Sequence, residues 1–298
     1  METKALCKQF GSVRALNEVN LQIKEGTVYG ILGPNGSGKT TMLGTVLDII
    51  KPTSGSVELF GEVPAPKHRK AIGTLLETPN FYHYLNAEQN LKIAASIKGI
   101  ANPDFEGVLK RVNLYERRKS PFSTYSLGMK QRLAIASCLL GEPRVMIFDE
   151  PTNGLDPAGI AEIRQLIVQI AAAGKTIIMA SHMLDEVEKV CSHVAILKKG
   201  VLLAAGRVDE ILANEDLIEI DAKASKETLK SIAKGLPGQI KVVVSDSGRL
   251  VLHFAQGEAD MGAINSHFFK NGIPLTHLQL KKQSLEARFI EMTNTTSA

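Results

Sequence analysis

The sequence predicts an α/β fold: a mostly parallel core sheet with an antiparallel β subdomain and a helical subdomain, plus a small C-terminal α+β domain. Three observations predict it. Short apolar runs at Val28–Leu32, Val145–Phe148 and Thr176–Ala180 read as buried strands, and each is followed by a segment with helical spacing. Helical patterns dominate residues 86–140. After about residue 214 the order changes to β-α-β-β-α-β-α, which suggests a ferredoxin-like unit.

Residues 1–27 and 53–61 read as short strands separated by the turn signals Gly11, Glu25-Gly26 and Ser54-Gly55, an antiparallel flap. Lys39 to Ile49 has helical spacing through Met42, Leu43, Val46 and Leu47. Ala87–Lys98 and Met129–Leu140 are the clearest helices of an insertion expected between the first and second core strands. Pro157 to Ala173 reads as a helix with Asp156 at its N-cap and Pro157 at N1, and His182 to Cys191 as another. In the last part Leu217–Asp221, Ile240–Val244, Leu250–Phe254 and Leu275–Leu280 are strand candidates. Asp246-Ser247-Gly248 supplies the hairpin turn, and Lys226–Ala233, Ala259–Lys270 and Leu285–Met292 are the helices. The expected domains are 1–213, with the helical subdomain at about 78–140, and 214–298.

The 298 residues are 44% apolar and 22% charged, enough for a full core and too apolar for disorder throughout. A net charge of +4 and the absence of a basic stripe argue against life on a phosphate backbone; Arg117-Arg118-Lys119, Lys198-Lys199 and Lys281-Lys282 read as solvated surface. Cys7, Cys138 and Cys191 are odd in number and widely spaced, which excludes a disulfide framework or a zinc site and fits a reducing compartment. No apolar run reaches the length of a membrane span, and no secretory signal is seen, so any link to a membrane is expected through a partner.

The strongest chemical signal is Gly33-Pro34-Asn35-Gly36-Ser37-Gly38-Lys39-Thr40, a G-x-x-x-x-G-K-[ST] segment between a strand and a helix. Glycines let successive backbone N–H groups turn in around phosphate oxygens, and the helix that follows aims its positive end at the same anion. Lys39 is then expected to reach the β- and γ-phosphates, and Thr40 to ligate Mg²⁺, with Thr41 next in the loop. Asp149-Glu150 ends the second buried strand, the sheet edge at which α/β proteins bind ligands. Asp149 is the expected metal residue and Glu150 the one that polarises the attacking water. Together these predict a P-loop NTPase core with ATP and Mg²⁺.

Up to about residue 213 the chain resembles the nucleotide-binding subunits of ATP-binding-cassette (ABC) transporters, with that family's motifs in order. The resemblance implies that Phe10 stacks on adenine, core packing being the competing role for a lone Phe. It implies that Ser126 and Gly128, within Tyr125-Ser126-Leu127-Gly128-Met129-Lys130-Gln131-Arg132, contact the γ-phosphate bound by the opposite subunit. Asn153-Gly154-Leu155-Asp156 resembles the loop linking the two sites, and His182 the switch histidine, so that Glu150, His182 and Lys39 form the catalytic set. Two departures stand out. Glu77 occupies the place of a metal- and permease-sensing Gln, a feature resembling antibiotic-peptide immunity and bacitracin-type exporters. Leu127 replaces a Gly and Met129 a Gln, while Ser126 and Gly128 remain.

The implied assembly is a head-to-tail pair of ATP-binding subunits, a homodimer as the simplest form, that drives a separate integral-membrane permease from the cytoplasmic face of the cell membrane, with export favoured and no nucleic acid expected. Phe81, Tyr82 and Tyr84 are candidates for the permease-docking surface or for the core. The competing functions are a soluble ABC-type ATPase acting on nucleic acid or ribosomes, and an ATP-binding module without turnover.

Overall fold

In the computed structural model, which describes residues 1–212, 215–245, 247–281 and 284–295, the chain divides into two compact units, Met1–Arg207 and Val208–Ala298. Asp246, Lys282, the expected boundary at 213/214 and the tail from 296 lie outside the described residues.

The first unit opens with the antiparallel pair β1 (Glu2–Phe10) and β2 (Val13–Gln22). β3 (Val28–Leu32), α1 (Lys39–Val46), β4 (Ser54–Glu58), α2 (Pro66–Ala71) and β5 (Ile72–Leu75) follow. The helical segment contains α3 (Ala87–Lys98), α4 (Phe105–Arg111) and α5 (Leu127–Leu139). The chain then alternates through β6 (Val145–Asp149), α6 (Pro157–Ala172), β7 (Thr176–Ser181), α7 (Leu184–Val190), β8 (His193–Lys198) and β9 (Val201–Arg207). β2-β1-β4 form the expected antiparallel flap, and the core sheet runs β5-β6-β7-β3-β8-β9, parallel except for the antiparallel pair β8–β9.

Every residue of β3, β6 and β7 is buried, as expected of a parallel sheet covered on both faces. A Cβ on Gly30 in β3 would lie 2.5 Å from Val187 Cγ1, so the missing side chain is what lets α7 pack down on the strand. Leu6, Leu16 and Val19 of the flap join Ile31, Met42, Leu43 and Ile178 in one core cluster. The flap is thereby fixed to the sheet beside the Gly33–Thr40 loop.

Capping chemistry sets the helix starts. Asn86 accepts from the Gln89 N–H and Gln89 caps in return, and Ser126 accepts from the Met129 N–H. Asp156 accepts from the Gly159 N–H with Pro157 inside the first turn.

The structure corrects several expected bounds. β5 is a core strand that the alternating scheme omitted, so the helical segment is inserted between β5 and β6, after two core strands rather than one. The strand is only four residues long, and Gly73 interrupts its apolar pattern because a Cβ there would meet the Cys138 carbonyl at 2.5 Å. α1 stops at Val46, short of Ile49, as the chain turns into a left-handed residue at Asp48 (φ +57°). α5 begins at Leu127 rather than Met129 because Ser126 is its cap. The hairpin β8–β9 was not anticipated.

The second unit consists of α8 (Val208–Leu212), β10 (Glu215–Ala222), α9 (Lys226–Ala233), β11 (Gln239–Val244), β12 (Leu250–Ala255), α10 (Met261–Lys270), β13 (Leu275–Lys281) and α11 (Leu285–Thr295). Its sheet is antiparallel in the order β11-β12-β10-β13, the ferredoxin-like topology. Ile218, Ile220, Leu252 and Phe254 pack under Leu229, Ala233, Ile264 and Phe268 of α9 and α10 in a core of its own.

Candidate functional site

Gly33–Thr40 carries the chain from β3 into α1. A Cβ on Gly33 would stand 2.3 Å from Ser37 Oγ and 2.4 Å from the Leu197 carbonyl oxygen, so only glycine closes this turn. Gly38 adopts φ +108° and a Cβ there would meet the Ala15 carbonyl at 2.5 Å, so both conformation and space demand glycine at the head of α1. Pro34, Asn35 and Gly36 form the exposed tip of the loop, and Ser37 is buried beneath it.

Lys39 is 6% exposed, and its Nζ donates to the carbonyls of Gly33 (2.8 Å) and Pro34 (3.3 Å). The same nitrogen lies 3.3 Å from Glu150 Oε1, while Glu150 Oε2 lies 2.9 Å from His182 Nδ1. One carboxylate thus bridges the two candidate γ-phosphate residues. Glu150 is a non-glycine residue at φ +50°, held there by its N–H bond to the Ala180 carbonyl at 3.0 Å. Such a conformation costs on the order of 1–2 kcal/mol and persists where surrounding contacts dictate it.

Asp149 is 1% exposed at the end of β6. Burial pushes its carboxyl above the ordinary range; the Thr40 hydroxyl and Lys39 pull it down, while Glu150 and Glu77 push it up. Thr40, Glu77, Asp149 and Glu150 line one cavity of about 200 Å³ together with Leu127, Gln131 and Asn153. Glu77 also sits at positive φ, +54°.

The site fits a hydrated divalent cation and a polyphosphate. Asp149 Oδ1 and Ser37 Oγ are buried with no hydrogen-bond partner in the protein, a costly state that a ligand would relieve. A Thr hydroxyl beside a carboxylate is a hard-oxygen donor set of the kind Mg²⁺ takes, with water and phosphate completing its shell.

Phe10 is 49% exposed at the end of β1 with the Lys8 ammonium 4.8 Å from its ring centroid, which removes core packing as its role. Ser126 is exposed and caps α5, Gly128 follows in the first turn, and Asp156 is engaged as the cap of α6. Thr41 lies in α1 and its carbonyl accepts from the Thr45 hydroxyl.

The aromatic run divides: Phe81 packs edge-on to buried Phe122 at 5.3 Å, while Tyr82 and Tyr84 are 51% and 76% exposed. Phe81, Tyr82, Ile93 and Ile97 border a groove of about 550 Å³ beside Leu76 and Thr78, the residues flanking Glu77.

One support escaped the sequence reading. The turn Lys199-Gly200 between β8 and β9 braces the phosphate loop: the Gly200 N–H donates to the Ser37 carbonyl at 2.8 Å, and its carbonyl accepts from the Asn17 N–H at 2.9 Å. Lys199-Gly200 before the apolar run Val201–Ala205 is a signal for a hairpin turn.

Comparison with known proteins gives the family. Residues 16–153 match the family described as ABC transporter. The bacitracin transport ATP-binding protein BcrA of Enterococcus faecalis is 36% identical, with 98% of this chain and 96% of that protein covered. The lantibiotic transport ATP-binding protein SrtF of Streptococcus pyogenes is 35% identical; the match covers 98% of SrtF but 74% of this chain. The solved structure of the ATP-binding cassette MJ0796, a dimer in a post-hydrolysis state bound to ADP and Pi, is 29% identical with a TM-score of 0.63, covering 70% of this chain and 98% of that one. With Gly33–Thr40, Asp149-Glu150 and His182 converging at one sheet edge, the chain belongs to the ATP-binding subunits of the ABC transporter family.

Proposed function

We propose that the chain hydrolyses Mg·ATP as one of two head-to-tail cassette subunits and drives export through a separate membrane permease. The observation that carries this is the Glu150 carboxylate held between Lys39 and His182 beside buried Asp149. Thr40, Asp149 and Glu77, which line one cavity, would hold Mg²⁺, and the ion would supply charge neutralisation at the phosphates. Lys39 and the Gly33–Thr40 backbone bind and orient the phosphate chain. Glu150 orients the attacking water, and His182 fixes the Glu150 carboxylate while offering its ring to the γ-phosphate. Phe10 presents an exposed ring to adenine, and Ser126 and Gly128 complete the opposite subunit's site.

The groove beside Glu77, bordered by Phe81, Tyr82 and Ile97, suits an apolar helix of the permease. Among the described residues no helix is long and apolar enough to cross a membrane, consistent with a subunit that reaches the cytoplasmic side of the membrane through that partner. The names of BcrA and SrtF favour an antibiotic peptide as cargo, selected by the permease. Phosphate release by the purified chain, with and without Mg²⁺, tests turnover. Co-purification with a polytopic membrane protein encoded beside it tests coupling, and absence of phosphate release from a folded, nucleotide-bound chain would reject the ATPase.

A further inference from the structure

The ends of the loop that follows Glu150 are fixed: Glu150 bonds back to Ala180, and Asp156 caps α6. Its middle is a pair of tight turns, Asn153 N–H to Glu150 carbonyl at 3.1 Å and Leu155 N–H to Thr152 carbonyl at 3.3 Å. Thr152 gains a weak hydroxyl contact to Met183 Sδ at 3.8 Å. From the other side, the first turn of α5 interlocks with this loop. Leu127 Cδ2 stands 3.2 Å from the point where a Cβ on Gly154 would be, and Leu155 Cδ2 stands 4.0 Å from the corresponding point on Gly128. Leu127 is 45% exposed, so it is not a buried core residue, yet it also borders the cavity shared by Thr40, Glu77, Asp149 and Glu150. A glycine at 127, the residue usual in the family at this place, could not make the contact at Gly154.

We infer that Leu127 is a positioning residue: its side chain wedges the start of α5 against the Glu150–Asp156 loop and holds Glu150 in its left-handed, catalytic conformation. The adjoining Ser126 and Gly128 face the opposite subunit's nucleotide in the function proposed above, so the wedge also ties that contact to the chain's own hydrolytic carboxylate. In that function the nucleotide is held on this chain by Lys39, Thr40 and Asp149, which lie on α1 and β6 rather than on the wedged segments, so the wedge governs the rate of hydrolysis rather than nucleotide affinity.

The experiment compares the wild-type chain with Leu127→Ala, which keeps helix propensity and removes the wedge, and Leu127→Met, which keeps its volume. Amide hydrogen exchange, followed by mass spectrometry without nucleotide, reads the loop directly. Residues 150–156 should exchange on the order of 10-fold faster in Leu127→Ala and near the wild-type rate in Leu127→Met. Turnover provides the second arm: kcat should fall on the order of 10-fold in Leu127→Ala with KM for Mg·ATP within about 2-fold, and Leu127→Met should recover it. Unchanged exchange across 150–156 overturns the inference, as does a loss confined to KM or a Leu127→Met variant as slow as Leu127→Ala. The turnover arm rests on the proposed ATPase function and the exchange arm does not, so a wild-type chain without turnover that still shows faster exchange in Leu127→Ala refutes the former alone.

Discussion

Replacing Glu150 by Gln removes one negative charge at nearly constant volume. In the wild type both carboxylate oxygens are engaged, Oε1 with Lys39 at 3.3 Å and Oε2 with His182 at 2.9 Å. An amide cannot repeat this freely: its NH₂ group facing Lys39 would set donor against donor, and facing His182 it requires a bare Nδ1. The Coulomb attraction lost at Lys39 is about 5 kcal/mol at 3.3 Å with an effective dielectric of ~20, an upper scale rather than a net energy. Lys39 nevertheless keeps the Gly33 and Pro34 carbonyls. The loop and the fold should therefore survive, and ATP affinity should hold or rise, since a like charge beside the phosphates is gone. Hydrolysis should fall by a factor of order 10² or more, the scale of a lost general base, or about 2.7 kcal/mol of barrier at 1.36 kcal/mol per decade. Nucleotide titration, phosphate release and size-exclusion chromatography with Mg·ATP read the three consequences, the last as an accumulated dimer. Wild-type kcat in Glu150→Gln would refute the assignment of the catalytic carboxylate.

Further expectations follow from neighbouring residues. Lys39→Ala should abolish ATP binding in a folded chain, because the one buried ammonium in the loop is removed; unchanged affinity in a titration would contradict this. Asp149 has a carboxyl raised by burial, so its ionisation opposes folding at neutral pH, a penalty that fades as pH falls through the raised value. Asp149→Asn should accordingly raise the nucleotide-free Tm by about 2–4 °C per kcal/mol of relieved penalty while ending Mg²⁺-dependent turnover, and calorimetry with phosphate release reports both. Glu77→Gln should keep nucleotide binding and alter turnover or its coupling to the permease; rates equal to those of the wild type, both with and without permease, would make Glu77 a surface acid. A chain ending at Arg207, where the first compact unit ends, should still bind Mg·ATP by titration, because every proposed ligand precedes it.

The parts legible in the sequence were those fixed by local chemistry. Gly33–Thr40 announces itself because phosphate binding needs a contiguous run, and Asp156-Pro157 marks a helix start from two adjacent residues. The ferredoxin-like order was readable because its strands alternate and its turns are polar. The failures share a cause, which is tertiary contact. β5 is a strand only because β6 lies beside it, and Gly73 in its middle is explained by a carbonyl from α5. Gly200 matters through Ser37, far from it in sequence. Glu150 and Glu77 at positive φ are likewise imposed by surroundings that no local pattern records.

The order of the core sheet has a temporal consequence. β3, which leads into the Gly33–Thr40 loop, lies between β7 and β8. A nascent chain grown only to His182 already contains Gly33–Thr40, Asp149, Glu150, the Ser126 helix and His182 itself, yet β3 without β8 is an open edge. Residues 193–198 close that edge, and Gly200 then ties down Ser37. On that order the proposed ATP site would be complete in composition during synthesis before it is complete in shape, with the short hairpin β8–β9 supplying the last neighbours of the Gly33–Thr40 loop.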